Sequence, residues 1–306
     1  MPVPTTASLP ALAPADWLAR ADRHAARADG LTAARRARRE RRESDPVEDF
    51  LFEYYPVRPG RLRRWHPGFG AALGPSEGDD AAADVLTERA GWRWHSRTES
   101  GAVTLDSRAY LADREAGVRW LDELLRRTAD RPAHLGCLGL HEWAMVYRQR
   151  EHRHALPLRL GQAGTDTVVE SHPVRCSHFD AFRFFTPEAR PLNRHQPERA
   201  TQPDLEQPGC LHANMDLLKA ANILGPACPG ELLLDCFELA RDIRVLDMRA
   251  SPYDLRALGH EPVTIETAEG RAEYVAAQRA FAERAAPLRA RLAGVTGALL
   301  GGSAGS

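Results

Sequence analysis

Three short blocks of this 306-residue chain set an imidazole beside a carboxylate. His141 directly precedes Glu142, His178 stands two residues before Asp180, and His212 and Asp216 are four apart. On a helix the last two share one face. Such pairs are the material of general acid–base catalysis and of oxygen/nitrogen metal sites. They are also an ordinary way to fix a loop by a hydrogen bond. The spacing matches no standard metal signature such as HExxH, so three readings stand: structural pairing, contact with substrate, or one divalent ion drawn to His141, His178, His212, Asp180 and Asp216, with Glu142 beside it.

Aromatic and basic residues cluster near these blocks. Phe179, Phe182, Phe184 and Phe185 fall within seven positions, and Trp143 and Tyr147 share a helical face. Core packing accounts for such groups, and so does a pocket whose walls sandwich a planar base. Of 41 basic residues, Lys219 is the one lysine. GC-rich coding explains such a bias, as does a need for forked, permanently charged donors that grip phosphate or carboxylate. Arg35, Arg36, Arg38, Arg39, Arg41 and Arg42 surround one helical stretch, while Arg58, Arg61, Arg63 and Arg64 precede Trp65 and His66 in a Pro/Gly-punctuated loop. The second group suits phosphate contact combined with stacking. Glu231, Asp235, Glu238 and Asp242 form a continuous acidic helix face. Beyond it Arg244, Asp247, Arg249 and Asp254 alternate sign in a semi-apolar stretch, which is tolerated when such charges are paired.

The elements that must position these groups are mostly helical. Patterning predicts helices over 15–26, 31–42 and 46–54, the last started by Asp45, and one helical turn within the 58–68 loop. A mobile loop is expected at 74–84 and an extended piece at 92–105. Asp106 or Ser107 caps a helix to about Thr128, with Leu111, Val118, Leu121, Leu124 and Leu125 on one stripe. Further helices are expected over 140–148, 210–224, 231–248 (stripe Leu232, Cys236, Leu239, Ile243, Leu246) and 269–292. Residues 157–161 and 167–174 read as a β-hairpin. The sum is a mainly α protein: a compact multi-helix domain over 106–298 with a small β element. A basic N-terminal helical arm (1–75), an acidic linker (76–105) and a disordered tail (299–306) complete it.

Composition excludes several classes. Hydrophobic residues are 43% and charged residues 27%, and the net charge is −1, so neither a disordered chain nor a globally basic nucleic-acid binder is indicated. No apolar run is long enough for a membrane span. The charge is nevertheless uneven, since the first 75 residues carry 13 Arg against nine acids. The five cysteines have no CxxC spacing and read as reduced core residues, and the N-terminus lacks a secretory pattern, so a cytoplasmic setting is expected. There is no GxGxxG after a strand, no P-loop and no GxSxG elbow, and no organic cofactor is expected. The oligomeric state is not legible.

Five blocks resemble an actinobacterial family commonly named 3-methyladenine DNA glycosylase: DPVEDFLFEYY (45–55), HEWAMVYR (141–148), RCSHFDAFRFFT (175–186), EQPGCLHANMDL (206–217) and LDMRASPYDL (246–255). The resemblance spans about residues 45–290. It implies a hydrolase of DNA repair that releases alkylated purines. An oxocarbenium-like sugar then needs a carboxylate to stabilise it and to orient water. Asp180 is the first candidate, Glu142 the second and Asp216 the third. His141, His178, His212, Trp143, Tyr147, Phe182 and Arg183 would contact the base, and Arg61, Arg63, Arg64 and Trp65 the DNA. The alternative is a metal-dependent enzyme acting on a small anionic molecule through the same His/Asp/Glu groups.

Overall fold

The computed structural model describes residues 11–55, 57–75, 80–152 and 154–302. Among them stand twelve α-helices and one four-stranded sheet, a mainly α architecture with a small sheet. The first ten residues lie outside this range. A short strand β1 (Ala11–Leu12) leads into α1 (Pro14–Glu40). The expected break between two helices at Gly30 is absent. One internal glycine costs only about 1 kcal/mol, and α1 is anchored along its length. Trp17 is fully buried and its indole N–H donates to the Gly74 carbonyl at 3.2 Å. His24 Nε2 meets the Leu62 carbonyl at 2.8 Å. Arg35 and Arg38 both reach the buried Asp49 at 2.5 Å, so part of the basic run faces inward.

Helix α2 (Phe50–Tyr54) starts later than expected. Asp45 Oδ1 accepts from the Val47 and Glu48 N–H groups and closes a turn ahead of it. The single turn α3 (Pro59–Leu62) lies in the Pro/Gly loop, as expected. Of the expected linker, residues 80–105 are structured. They carry α4 (Asp80–Ala90) and the strands β3 (His95–Arg97) and β4 (Val103–Leu105), which pair antiparallel. Together with β2 (Ala72–Leu73) they make a sheet ordered β1-β2-β4-β3, parallel only between β1 and β2. The reason is burial: Leu86, Val103 and Leu73 pack with Trp17 and Trp65 in a small second core. Of the expected mobile loop, residues 76–79 lie outside the described range, and Asp80 onward is helical.

The Asp106 carboxylate accepts from the Ala109 N–H and caps α5 (Ser107–Ala129), whose expected stripe is buried. After the short α6 (Leu140–Ala144) comes α7 (Gly161–Ser171), where a hairpin was expected. Val168 and Val169 suit a strand, but they stand three and four residues beyond Thr165. That helical spacing buries all three on one face, and the Thr165 hydroxyl donates back to the Gly161 carbonyl. Two short helices follow, α8 (Phe179–Phe182) and α9 (Gln202–Leu205), and then the long α10 (Leu211–Leu224), α11 (Gly230–Arg249) and α12 (Ala268–Gly302). α10 packs on α11 and α12, and α12 runs along α5. α12 passes the expected end at 292 because Leu292, Thr296 and Leu299 keep a buried stripe at i, i+4 and i+7. The tail therefore folds as far as Gly302, and 303–306 lie outside the described residues.

The acidic face of α11 is the seam of the molecule rather than a solvated surface. Glu231 meets Arg20 at 2.9 Å, and Arg27 reaches Asp235 at 2.9 Å and Glu238 at 2.8 Å, both arginines coming from α1. From α12, Arg291 meets Asp235 at 2.9 Å and Arg284 meets Asp242 at 2.8 Å. The N-terminal helix is thus laid onto the core. No helix of the described residues is long and apolar enough to cross a membrane.

Candidate functional site

The three His/acid blocks come together in the core between α6, α8, α10 and α11. His178 and His212 have ring centroids 5.4 Å apart, and His212 and His141 are 4.5 Å apart in a T-shaped contact. The carboxylates divide between the two ends of this row. At one end, His141 Nε2 lies 2.8 Å from Asp247 Oδ1. A carboxylate only accepts, so Nε2–H donates there. Buried Arg244 lies 3.2 Å from Glu142 and 3.4 Å from Asp247, with its guanidinium 3.9 Å above the Phe50 ring. At the other end, His178 Nε2 lies 3.2 Å from Glu206 and 3.4 Å from Asp216. Next in line, Lys219 Nζ donates to Asp180 Oδ2 at 2.6 Å and stands 3.7 Å from Asp216 Oδ2.

Local structure explains the placement. His178 caps α8: its Nδ1 accepts from the Ala181 N–H at 3.2 Å. The preceding chain is stapled by Asn193, which accepts from the Cys176 N–H at 2.8 Å and donates to the Cys176 carbonyl at 2.9 Å. His212, Asp216 and Lys219 follow one face of α10 at spacings of four and three. The Tyr55 hydroxyl, at the end of α2, donates to Asp216 Oδ1 at 2.8 Å and ties the N-terminal segment to the site.

Electrostatics follows from these contacts. Burial alone would raise the pKa of Asp216, but His178, Lys219 and Tyr55 outweigh it and hold the carboxyl below its usual range. Asp247 is held down in the same way, by His141, His212 and Arg244. His212 is pushed down to about 3 by burial and by the neighbouring His141, so it is neutral. Lys219 is raised, because Asp216 and Asp180 more than offset its desolvation.

Two donor sets are compact enough for a cation: His141, Glu142, His212 and Asp247, and separately His178, Glu206 and Asp216. Among the described residues no single set holds all five residues expected around one ion. Neither donor set suits a divalent ion well. In the first, Arg244 already bridges the two carboxylates. In the second, Nδ1 of His178 accepts a hydrogen bond, so the neutral ring carries its proton on Nε2, the atom that faces the carboxylates.

Asp180 and Lys219 line a cavity of about 1380 Å³. Arg58, Arg61, Arg64, Arg93, Arg114 and Arg183 line it, with Tyr54, Trp92, Trp94 and Phe184 between them. Guanidinium groups lie over the rings: Arg64 at 4.7 Å from Trp92, Arg93 at 4.3 Å from Trp94 and Arg183 at 4.5 Å from Phe184. Of the residues expected here, Arg61, Arg64, Arg183 and Asp180 line the cavity. Trp65 does not: it is buried, and its indole donates to Glu231 at 3.0 Å. Arg63 turns away to Asp29 at 3.1 Å. Trp143 is wholly buried and donates to the Ala250 carbonyl at 2.8 Å, Tyr147 donates to Glu170 at 2.8 Å, and Phe182 packs on Phe185 at 5.1 Å. Trp143 and Phe182 thus make core contacts, and the buried Tyr147 ring turns its hydroxyl to the surface carboxylate of Glu170 instead of the cavity. Sequence reasoning missed Tyr55, Glu206, Trp92, Trp94, Arg114 and Lys219 as site residues. Only Lys219 carried a signal, one helical turn after Asp216. Comparison with protein-family models, curated proteins and solved structures finds no match for the chain.

Proposed function

We propose that the large cavity binds a nucleic-acid strand and that the chain is an N-glycosylase that releases alkylated purine bases. The observation that carries this reading is the cavity's layout. Guanidinium groups and aromatic rings line it together, and among them stands Asp180, held at 2.6 Å by Lys219, with Asp216 outside the lining 3.7 Å from the same ammonium. Arg58, Arg61, Arg64, Arg93 and Arg114 hold phosphates, and Trp92 and Trp94 offer stacking faces. A flipped base carrying positive charge on its ring is a good leaving group, so no strong acid is required. Asp180 stabilises the cationic sugar and orients water, while Lys219 and Arg183 fix its two oxygens. Asp216 keeps Lys219 in place and does not reach the substrate.

The test incubates purified protein with DNA carrying methylated purines and measures free base. Asp180→Asn is expected to slow release at least about 100-fold, the scale on which removing one preorganised electrostatic group raises a transition state, with DNA affinity retained. Arg61→Ala combined with Arg64→Ala is expected to lower the slope of log affinity against log salt by about 2, one for each phosphate no longer neutralised. No base release at stoichiometric enzyme, together with no DNA binding at low salt, would overturn the reading.

A further inference from the structure

Two rings of the histidine row, His141 and His212, line a second cavity of about 350 Å³. That is the size of a site for a small molecule. Cys137 lines it too, and Gln278 and Tyr274 come in from α12. Cys137 Sγ lies 3.4 Å from His141 Nδ1, and the other ring nitrogen of His141 is the one held by Asp247 at 2.8 Å. A thiol, an imidazole and a buried carboxylate therefore stand in line, each within hydrogen-bond reach of the next. That is the arrangement in which a base activates a nucleophile and a third group orients the base.

Further observations mark the cavity as a place for a ligand. Gln278 is 1% exposed, and its Nε2 donates to the Gly209 carbonyl at 2.6 Å, yet its Oε1 has no partner among the described residues. A buried acceptor left open is costly, so a group that donates to it from the cavity would be stabilising. No hydrogen bond among the described residues engages the His212 ring, which is neutral and faces the same space. Cys137 also opens a tight turn that its own carbonyl closes onto the Leu140 N–H at 3.0 Å. Both central residues have positive φ, Leu138 at 53° and Gly139 at 72°. A non-glycine residue held there is strained, and such strain collects at functional positions. The cavity rim carries Arg131, Arg175 and Arg194. Arg131 spends its donors on two backbone carbonyls, but neither Arg175 nor Arg194 has an acidic partner among the described residues. Asp204, the carboxylate on the rim, is taken by Arg127.

We propose that Cys137 is a nucleophile activated by His141 and positioned through Asp247, and that this second cavity takes a small ester or thioester bearing a carboxylate or phosphate. With the proton of the thiol already resting on His141 Nδ1, the sulfur of this ion pair bonds through Sγ to the acyl carbon. The bond from that carbon to the leaving group breaks, and His141 returns the proton to the leaving group. Water, deprotonated by the same nitrogen, then cleaves the S-acyl bond, and the proton goes back to sulfur. The anion of the substrate meets Arg175 and Arg194. Burial by itself would lower the pKa of His141, but Asp247 and Cys137 raise it well above the ordinary value, which favours an imidazolium beside the sulfur.

Alkylation tests this without knowledge of the substrate. Cys137 is half-buried and the other four cysteines are buried, so intact mass after brief labelling reports on Cys137, with Cys137→Ser as the blank. At pH 6 an ordinary thiol with pKa near 8.5 is under about 1% thiolate. Cys137 is expected to react with iodoacetamide at least about tenfold faster than free cysteine there, and His141→Gln to remove the advantage. Iodoacetate, relative to iodoacetamide and normalised to free cysteine, is expected to gain about fivefold, and Arg175→Ala with Arg194→Ala, both exposed, to abolish that gain. A Cys137 no faster than free cysteine at pH 6 overturns the nucleophile. A fast but charge-indifferent Cys137 overturns the anionic substrate. Both measurements stand on the unmodified protein, whether or not the His141 variant folds.

Discussion

Arg244 is the residue on which the core of the site turns. It is 2% exposed, and it is the cation that bridges Glu142 and Asp247. Removing one partner of a buried ionic group leaves uncompensated charge, which costs about 3–5 kcal/mol. Arg244→Met keeps most of the volume over Phe50 and is expected to lose that much in urea unfolding at pH 7. A loss under about 1 kcal/mol would mean that water or His141 already neutralises the carboxylates. At this scale the sequence was half legible. An imidazole next to a carboxylate is visible as a local pattern, and so is the alternating Arg244/Asp247 stretch. The pairing is not local, however. His141 pairs with Asp247, not with Glu142 beside it, and His178 reaches Glu206 and Asp216 rather than Asp180. Side chains adjacent on a helix point apart, so the nearest acid in sequence is seldom the partner in space. Trp143 and Tyr147 misled for a related reason: helical periodicity marks a buried face without saying whether the face lines a cavity or the core.

Among the elements, α1 brings the basic N-terminal segment to the site, and two forces hold it. One is the row of ion pairs to the acidic face of α11, with side chains about a third exposed. The other is Trp17, fully buried in the small second core. Ion pairs at that exposure are worth about 0–1 kcal/mol, whereas emptying a large aromatic site costs about 3–5 kcal/mol. Arg27→Ala is therefore expected to cost under about 1 kcal/mol and to have no effect in high salt, and Trp17→Ala to cost several times more, both read by urea unfolding. The reverse order would make the charged seam the main attachment. The long helices α5, α10 and α11 were legible because their caps and apolar stripes are set within the segment itself. The sheet was not, because its strands are two or three residues long and gain their burial only from elements far along the chain. Val168 and Val169 show the converse, where tertiary burial overrides a local preference for strand.

For the molecule as a whole, the near-zero net charge hides histidines buried with opposed preferences. His212 and His66 are both pushed down to about 3, first by burial and then by neighbouring cations, and burial also lowers His24 and His95. Each is neutral in the fold but takes a proton near pH 6.5 when unfolded. Below 6.5 the unfolded chain therefore binds more protons, and stability falls with pH. For His212 and His66 the cost approaches about 1.4 kcal/mol per pH unit, and His24 and His95 add in the same direction. His141 has the opposite sign. Its folded pKa is raised, so its contribution is complete below 6.5 and is lost as pH climbs toward the raised value. The buried carboxylates Asp216 and Asp247 are held below their usual range, so their contribution is lost only at pH below about 4. Between pH 4 and 6.5 the acid limb thus belongs mainly to histidine. The melting temperature is expected to peak near pH 6.5–7 and to fall on both sides, and His66→Gln is expected to flatten the acid side by removing one group's slope. His66 suits this test because it lies outside the His141–His212–His178 row and its Nδ1 is buried without a partner among the described residues, so the ring gives up no hydrogen bond there. A melting temperature constant down to pH 4.5 would mean that these rings take protons without unfolding the chain.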